Sequence, residues 1–189
     1  MLKPKNNCSL FRRWIMSEVN YVLDKLETTY FIDDSADTLI DKIESFIEMC
    51  KKTTPEAKFV TRCIPKKLTI TVESTPKLIG TSYIHTEIRY HAQLVHRDIT
   101  FAIEDLPLYK ERFFYFSFKR SDDTDAISET FNTLFDSTKK YDAQFIPIDV
   151  CIATEQHVHT IGNGPYFSSN TIYVGILLYE AIYNYSNNE

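Results

Sequence analysis

The spacing of apolar and polar positions changes period several times along this chain, and each change marks a candidate element. From Phe11 to Phe31 apolar residues fall at Trp14, Ile15, Val19, Val22, Leu23 and Leu26, a stripe of helical period that predicts a helix. The stretch DDSADTLIDKIESFIEMCKK predicts a second. Asp34 or Ser35 can cap it, Asp37 sits in its first turn and Lys51-Lys52 close it, all in the favourable sense for the helix dipole. Its apolar face is Leu39, Ile40, Ile43, Phe46, Ile47 and Cys50. Each helix has one apolar and one charged face, so each must cover something.

What they cover reads as a sheet. KFVTRC (58–63) and KLTITVE (67–73) are β-branched runs separated by Pro65, and TPKLIG follows as a turn. From Ser82 to Leu94 the period is two. One face carries Ile84, Ile88, Tyr90, Ala92 and Leu94, the other His85, Glu87, Arg89, His91 and Gln93. The alternation breaks at His96-Arg97-Asp98, which reads as a hairpin turn, and a further strand follows over ITFAIED (99–105). ERFFYFSFKR (111–120) puts Phe114, Phe116 and Phe118 on one face and Phe113 and Tyr115 on the other, as an interior strand would. SDDTDAISETFNTLFDSTKK is a third helix, with Asp122, Asp123 and Asp125 at its start and Lys139-Lys140 at its end. Its packing face is Ile127, Phe131, Leu134 and Phe135.

QFIPIDVCIA (144–153) predicts a strand whose Pro147 suits an edge or a strand start. QHVHTI extends it briefly, and GNGP (162–165) turns the chain. NTIYVGILLYEAIYNY reads as a strand through Leu178, with a buried helix as the competing reading. The sequence pattern is read as containing no internal repeat and no linker. The expectation is one α+β domain over residues 1–189, a mostly antiparallel sheet covered by two N-terminal helices and one central helix. Residues 1–9 are expected to form a basic tail.

Composition narrows the function more than the fold. Apolar residues make up 43% and charged residues 25%, which is globular rather than disordered composition. Four glycines in 189 residues amount to about 2% against an average near 7%. Phosphate-cradling loops need glycine where backbone approaches ligand, and neither the dinucleotide nor the P-loop pattern occurs. A nucleophile elbow is missing too. Net charge is −5 and the bases are scattered, which disfavours nucleic acid. Without an apolar run of about 18–20 residues or a secretory signal, the expectation is an intracellular protein, in cytoplasm or nucleus, with no membrane partner. Cys8, Cys50, Cys63 and Cys151 lie far apart with no C-x-x-C pair, so free thiols are expected rather than disulfides.

The five histidines are the best candidates for chemistry. His85 and His91 sit roughly 20 Å apart on a strand, too far to share a metal. His157 and His159 share a face about 7 Å apart, and with Glu155 as a base they define one candidate site: a small histidine- or metal-dependent hydrolase. A cupin-like metal strand needs a carboxylate soon afterwards, and the next acid is Glu180. A two-histidine phosphoesterase needs His-x-Thr/Ser twice, whereas the chain has His85-Thr86 and His159-Thr160. The preferred reading of these histidines is surface or structural, with no metal and no cofactor. Glu104-Asp105 and Asp122-Asp123 read as turn or cap residues, and Cys151, near His157 in sequence, as a core thiol.

The stretch ERFFYFSFKRSDDTDAISETFNTLFDSTKKYDAQFIPIDVCIAT and the later GPYFSSNTIYV resemble the second half of HORMA domains. Those run strand, charged loop, helix, then a strand entered through an apolar-Pro-apolar segment. Glu111-Arg112, the Ile127–Phe135 helix and Phe145-Ile146-Pro147 stand in the matching places. The likeness spans residues 111–174 and rests on pattern; the first half departs from it. It implies an adaptor that traps a partner's peptide beside the sheet with mobile C-terminal strands, and it transfers no individual site residue. Independently, the 12 tyrosines and 13 phenylalanines lack interleaved bases, so they suit core packing or a protein-binding patch better than nucleic-acid stacking. The expected function is a non-enzymatic interaction or adaptor module, a homo-oligomer or complex subunit, binding by strand addition at a sheet edge. The Pro147 strand and the C-terminal strand are the expected edges, with Phe145, Pro147, Tyr173 and Tyr179 as candidate contacts.

Overall fold

The structure is a computed structural model that describes residues 20–51, 53, 56–80, 83–137, 143–161 and 166–183. The expected basic tail, the GNGP turn and the Lys139-Lys140 helix end lie outside the described residues. The order is β1 (Tyr21–Asp33), α1 (Ala36–Met49), β2 (Phe59–Ile79), β3 (Tyr83–Ala102), a 3-10 segment (Ile103–Leu108), β4 (Phe113–Ser121), α2 (Thr124–Asp136), β5 (Ala143–Ile161) and β6 (Tyr166–Tyr183). The fold is α+β, built on two three-stranded antiparallel sheets ordered β1-β3-β2 and β4-β6-β5.

The first expected helix is not there. Residues 11–19 lie outside the described set, and from Tyr21 the chain pairs with β3 as a strand, Leu26 opposite Arg97 and Phe31 opposite Ala92. The helical stripe misled because this strand's inner positions are Glu27, Thr29, Phe31 and Asp33, mostly polar, while Val22, Leu23 and Leu26 are exposed. The β-branched and aromatic run Thr28–Ile32 is the strand signal that the stripe obscured.

The second and third helices form as expected. In α1, Leu39, Ile40, Ile43 and Ile47 are buried; in α2, Ile127 and Phe131 are. Asp123 caps α2, its carboxylate accepting from Asp125 N at 2.9 Å. Ser35 stands at the N-cap of α1 but makes no side-chain cap bond.

The strands run longer than their local signals suggest. Pro65 bends β2 through a bulge rather than ending it, and Pro147 does the same in β5. TPKLIG continues β2 instead of turning, and His96-Arg97-Asp98 lies inside β3, paired on both sides. A cross-strand ladder supplies what local propensity lacks. Two expected edge assignments also change. β6, the C-terminal strand, is the centre of its sheet, and β4, expected in the interior, is an edge. β4 carries bulk on both faces: Phe114, Phe116 and Phe118 join the main core, while Tyr115, still exposed, stacks on Tyr179.

The topology also contains a repeat. Each half runs β-α-β-β with the third strand between the other two, and each has its bulge just after the proline of its second strand. Aligned on those prolines, Ile64, Ile70 and Glu73 match Ile146, Ile152 and Glu155. β2 and β5 lie side by side in the same direction, joined by side chains rather than a backbone ladder. Asp149 accepts from Leu68 N at 2.8 Å, and Ser74 accepts from Gln156 N at 3.0 Å. The main core fills the wedge between the sheets, with α1 packed against residues of both, and α2 covers the other face of the second sheet.

Candidate functional site

Beyond the wedge, the β2–β3 and β5–β6 hairpins enclose an open cleft of about 1140 Å³. Thr75, Lys77 and Ile84 line it from the first hairpin, and Val158, His159 and Ile172 from the second. Thr86 ties the hairpins together: its hydroxyl accepts from Val158 N at 2.8 Å and lies 3.1 Å from Val158 O. Thr160 Oγ1 accepts from Ile84 N at 3.0 Å.

Behind Arg120 and His157, which line the cleft, stands Glu155, with no exposed surface. Strand alternation brings it there: Ala153 and Glu155 point inward, and His157 and His159 continue the same face outward into the cleft. Tyr90 of β3 donates its hydroxyl to Glu155 Oε1. Arg120, at the end of β4, donates from Nε to both carboxylate oxygens at 3.0 and 3.1 Å and adds a bond from Nη2. His157 Nε2 lies 2.5 Å from Oε2 and so carries its proton toward it. A guanidinium cannot accept, so the 3.2 Å approach of Arg120 Nη2 to the same nitrogen is a contact and not a further bond.

Burial is the largest single influence on the Glu155 carboxyl and pushes it up. The bonds from Arg120, Tyr90 and His157, with the Arg120 charge, together outweigh it and hold the group below the usual carboxylate range. Burial, then the Glu155 bond, pushes the Tyr90 phenol up. The result is an ionised carboxylate whose two oxygens are fully engaged. It orients its neighbours and shapes the cleft's electrostatics, but has little capacity left to take a proton.

The sequence-derived candidates are scattered by comparison. Glu155 and His157 do meet, and His159 lines the same cleft. Phe145 and Tyr173 are half-buried in the cluster under α2, where Tyr179 is buried with its ring 5.2 Å from that of Phe145. Pro147 is exposed at the β5 bulge. Cys151 is in the seam, its thiol donating to Leu68 O and pushed up to about 11, chiefly by burial.

Sequence reasoning missed the partners of Glu155, Tyr90 and Arg120, which come from two other strands. It also missed a second cluster. Among the described residues, one group of three potential metal ligands has donor atoms within 4.8 Å of one another: Cys63, His96 and Asp98. His96 is buried, its Nδ1 2.7 Å from Asp98 Oδ1 and its Nε2 2.9 Å from Thr29 Oγ1. Cys50 packs against the core cluster that holds Cys63; its interaction with the Cys63 thiol draws Cys50 below its ordinary value and, with burial, pushes Cys63 up. Compared with known proteins, the chain matches no family model, no curated protein and no solved structure.

Proposed function

We propose that this chain is a non-enzymatic interaction module that seats an extended, charged peptide segment of a partner protein in the cleft between its hairpins. The observation that carries this reading is the cleft itself. At about 1140 Å³ it exceeds the ordinary small-molecule range of about 300–1,000 Å³, and it is open. Strands form both walls, so side chains of alternating direction meet whatever lies between them. Charges of both signs line it, as Lys77 with Glu87 and Arg89 with Asp34. A segment carrying both signs can exchange those exposed pairs for its own at small cost. The hydrolase alternative needs Glu155 as a base, and its engaged oxygens argue for binding instead.

The test is an array of short charged peptides probed with the wild-type chain and with Asn170→Trp, which fills the cleft from an exposed position. The expected result is a selected peptide set held at least tenfold more weakly by the variant, with its thermal midpoint unchanged. An array with no binder, or binders held equally by both proteins, refutes the proposal.

A second reading has its own observation. Strand addition remains a proposal: β5, the expected Pro147 strand, is an edge of its sheet but lies against β2, so we favour β1, which pairs with β3 alone among the described residues. Val22, Leu26, Tyr30 and Ile32 are exposed on it. The trapping by a mobile C-terminal strand that the HORMA likeness implies would require β6 to leave its place between β4 and β5.

A further inference from the structure

We infer that Cys50, Cys63, His96 and Asp98 form a structural site for a divalent cation of the zinc class, fastening the end of α1 to the first sheet. The argument begins with strand register. Cys63 of β2 stands directly opposite Asp98 of β3, and His96 is two residues along from Asp98, so all three project from one face. Their donor atoms lie within 4.8 Å of one another. A tetrahedral zinc with bonds of about 2.0–2.3 Å holds its ligand atoms about 3.3–3.8 Å apart, so small side-chain rotations close the set. Cys50, the C-cap of α1, lies outside that group but packs against the same core cluster as Cys63, where Lys51 O accepts from Arg62 Nη1 at 3.0 Å, so a side-chain rotation brings its thiol in as the fourth ligand.

The surroundings fit a closed site. Thr29 Oγ1, 2.9 Å from His96 Nε2, can accept its proton and leave Nδ1 facing Asp98, the arrangement in which a ligating imidazole is oriented by its other nitrogen. The Phe46 ring packs on the imidazole at 5.2 Å between centroids and keeps water away. Bonds to Asp98 and Thr29 would satisfy His96 by themselves; they do not explain why two thiols converge on the same place. A set of two sulfurs, one nitrogen and one oxygen favours zinc over the oxygen-seeking cations. On binding, the two thiol protons leave to solvent, and the metal gains two thiolates, a neutral imidazole and a carboxylate.

Cobalt(II) is the probe, added to the reduced, chelator-treated full chain. One equivalent should bind with the intense thiolate-to-cobalt absorption and a raised thermal midpoint, and zinc should displace it. Cys50→Ser, at a half-buried helix cap, should keep the fold and weaken binding at least tenfold. His96→Gln should do the same or more, while Cys8→Ser and the His157→Ala/His159→Ala double variant should bind as wild type. No thiolate band in the reduced protein overturns the site. So does a band that survives Cys50→Ser unchanged, or one that disappears with the histidine double variant.

Discussion

Replacing Glu155 by alanine removes the one group that three side chains from different strands share. Tyr90 is the partner that suffers most, because it is buried and its hydroxyl loses its acceptor; a buried unsatisfied donor costs about 1–3 kcal/mol. Arg120 is half-exposed and rehydrates, so its lost pairing adds little. The deleted methylene adds about 0.8 kcal/mol. Together these give a loss of about 2–4 kcal/mol in a urea titration at neutral pH followed by circular dichroism. Tyr90→Phe alone should cost about 1 kcal/mol, since Glu155 keeps its other donors. In the double variant the stranded hydroxyl is gone, so the two losses should fall short of additivity by about 1–2 kcal/mol. The carboxyl is held below its ordinary value near 4.5 in the folded chain. Its stabilisation is therefore complete above that value and disappears as pH falls through the lower folded pKa. The deficit of Glu155→Ala should shrink over that acidic window. An additive double variant, or a deficit that stays constant through the window, would refute the network.

Other expectations test the scaffold. Gly175→Ala would place a Cβ against Ile127 Cγ2 and 3.2 Å from the Phe131 ring under α2; it should cost about 1–3 kcal/mol, and less in an Ile127→Ala background, which removes Cγ2. Gly80, with φ of 70° at the end of β2, should lose about 1–2 kcal/mol as alanine, measured by chemical denaturation. Asp123→Ala should cost about 1 kcal/mol because a cap bond is lost, whereas Ser35→Ala should stay within about 0.5 kcal/mol because Ser35 makes none. Leu26→Lys on β1 should shift any self-association seen in sedimentation toward monomer without changing the thermal midpoint.

Elements that carry their own amphipathic face were legible in the sequence. The α1 and α2 packing faces, and the inward set Tyr90, Ala92 and Leu94 of β3, needed only the period. β1 was lost because its inner face is mostly polar and its exposed residues mimic a helical stripe. The continuity of β2, β3 and β5 through Pro65, His96 and Pro147 was lost because pairing, which one sequence does not reveal, overrode local breaker signals. The site fared similarly: Glu155 and His157 are near neighbours in sequence and were found, while Tyr90 and Arg120 required the sheet arrangement. The Cys63, His96 and Asp98 group depends on a β2–β3 register that a supposed hairpin turn at residues 96–98 had made impossible.

The repeat explains why a buried carboxylate exists here at all. Glu73 and Glu155 occupy matching positions in the two halves, yet Glu73 lies exposed on the cleft wall with His91 3.5 Å away, and Glu155 is enclosed. The strands that carry them are alike in topology, so the difference comes from how the halves meet. One face of the second sheet packs toward the wedge, so Tyr90 of the first half reaches Glu155 from across the seam and Arg120 reaches it from within its own half. A single half would leave the acid in water, where ionisation needs no partners. Joining the halves removes that water, and the guanidinium, phenol and imidazole replace it. Because β2 and β5 are joined through side chains and not by a ladder, the two hairpins stay distinct and enclose the cleft instead of merging into one sheet. The cleft and its buried charge therefore belong to the junction, and neither half contains them alone.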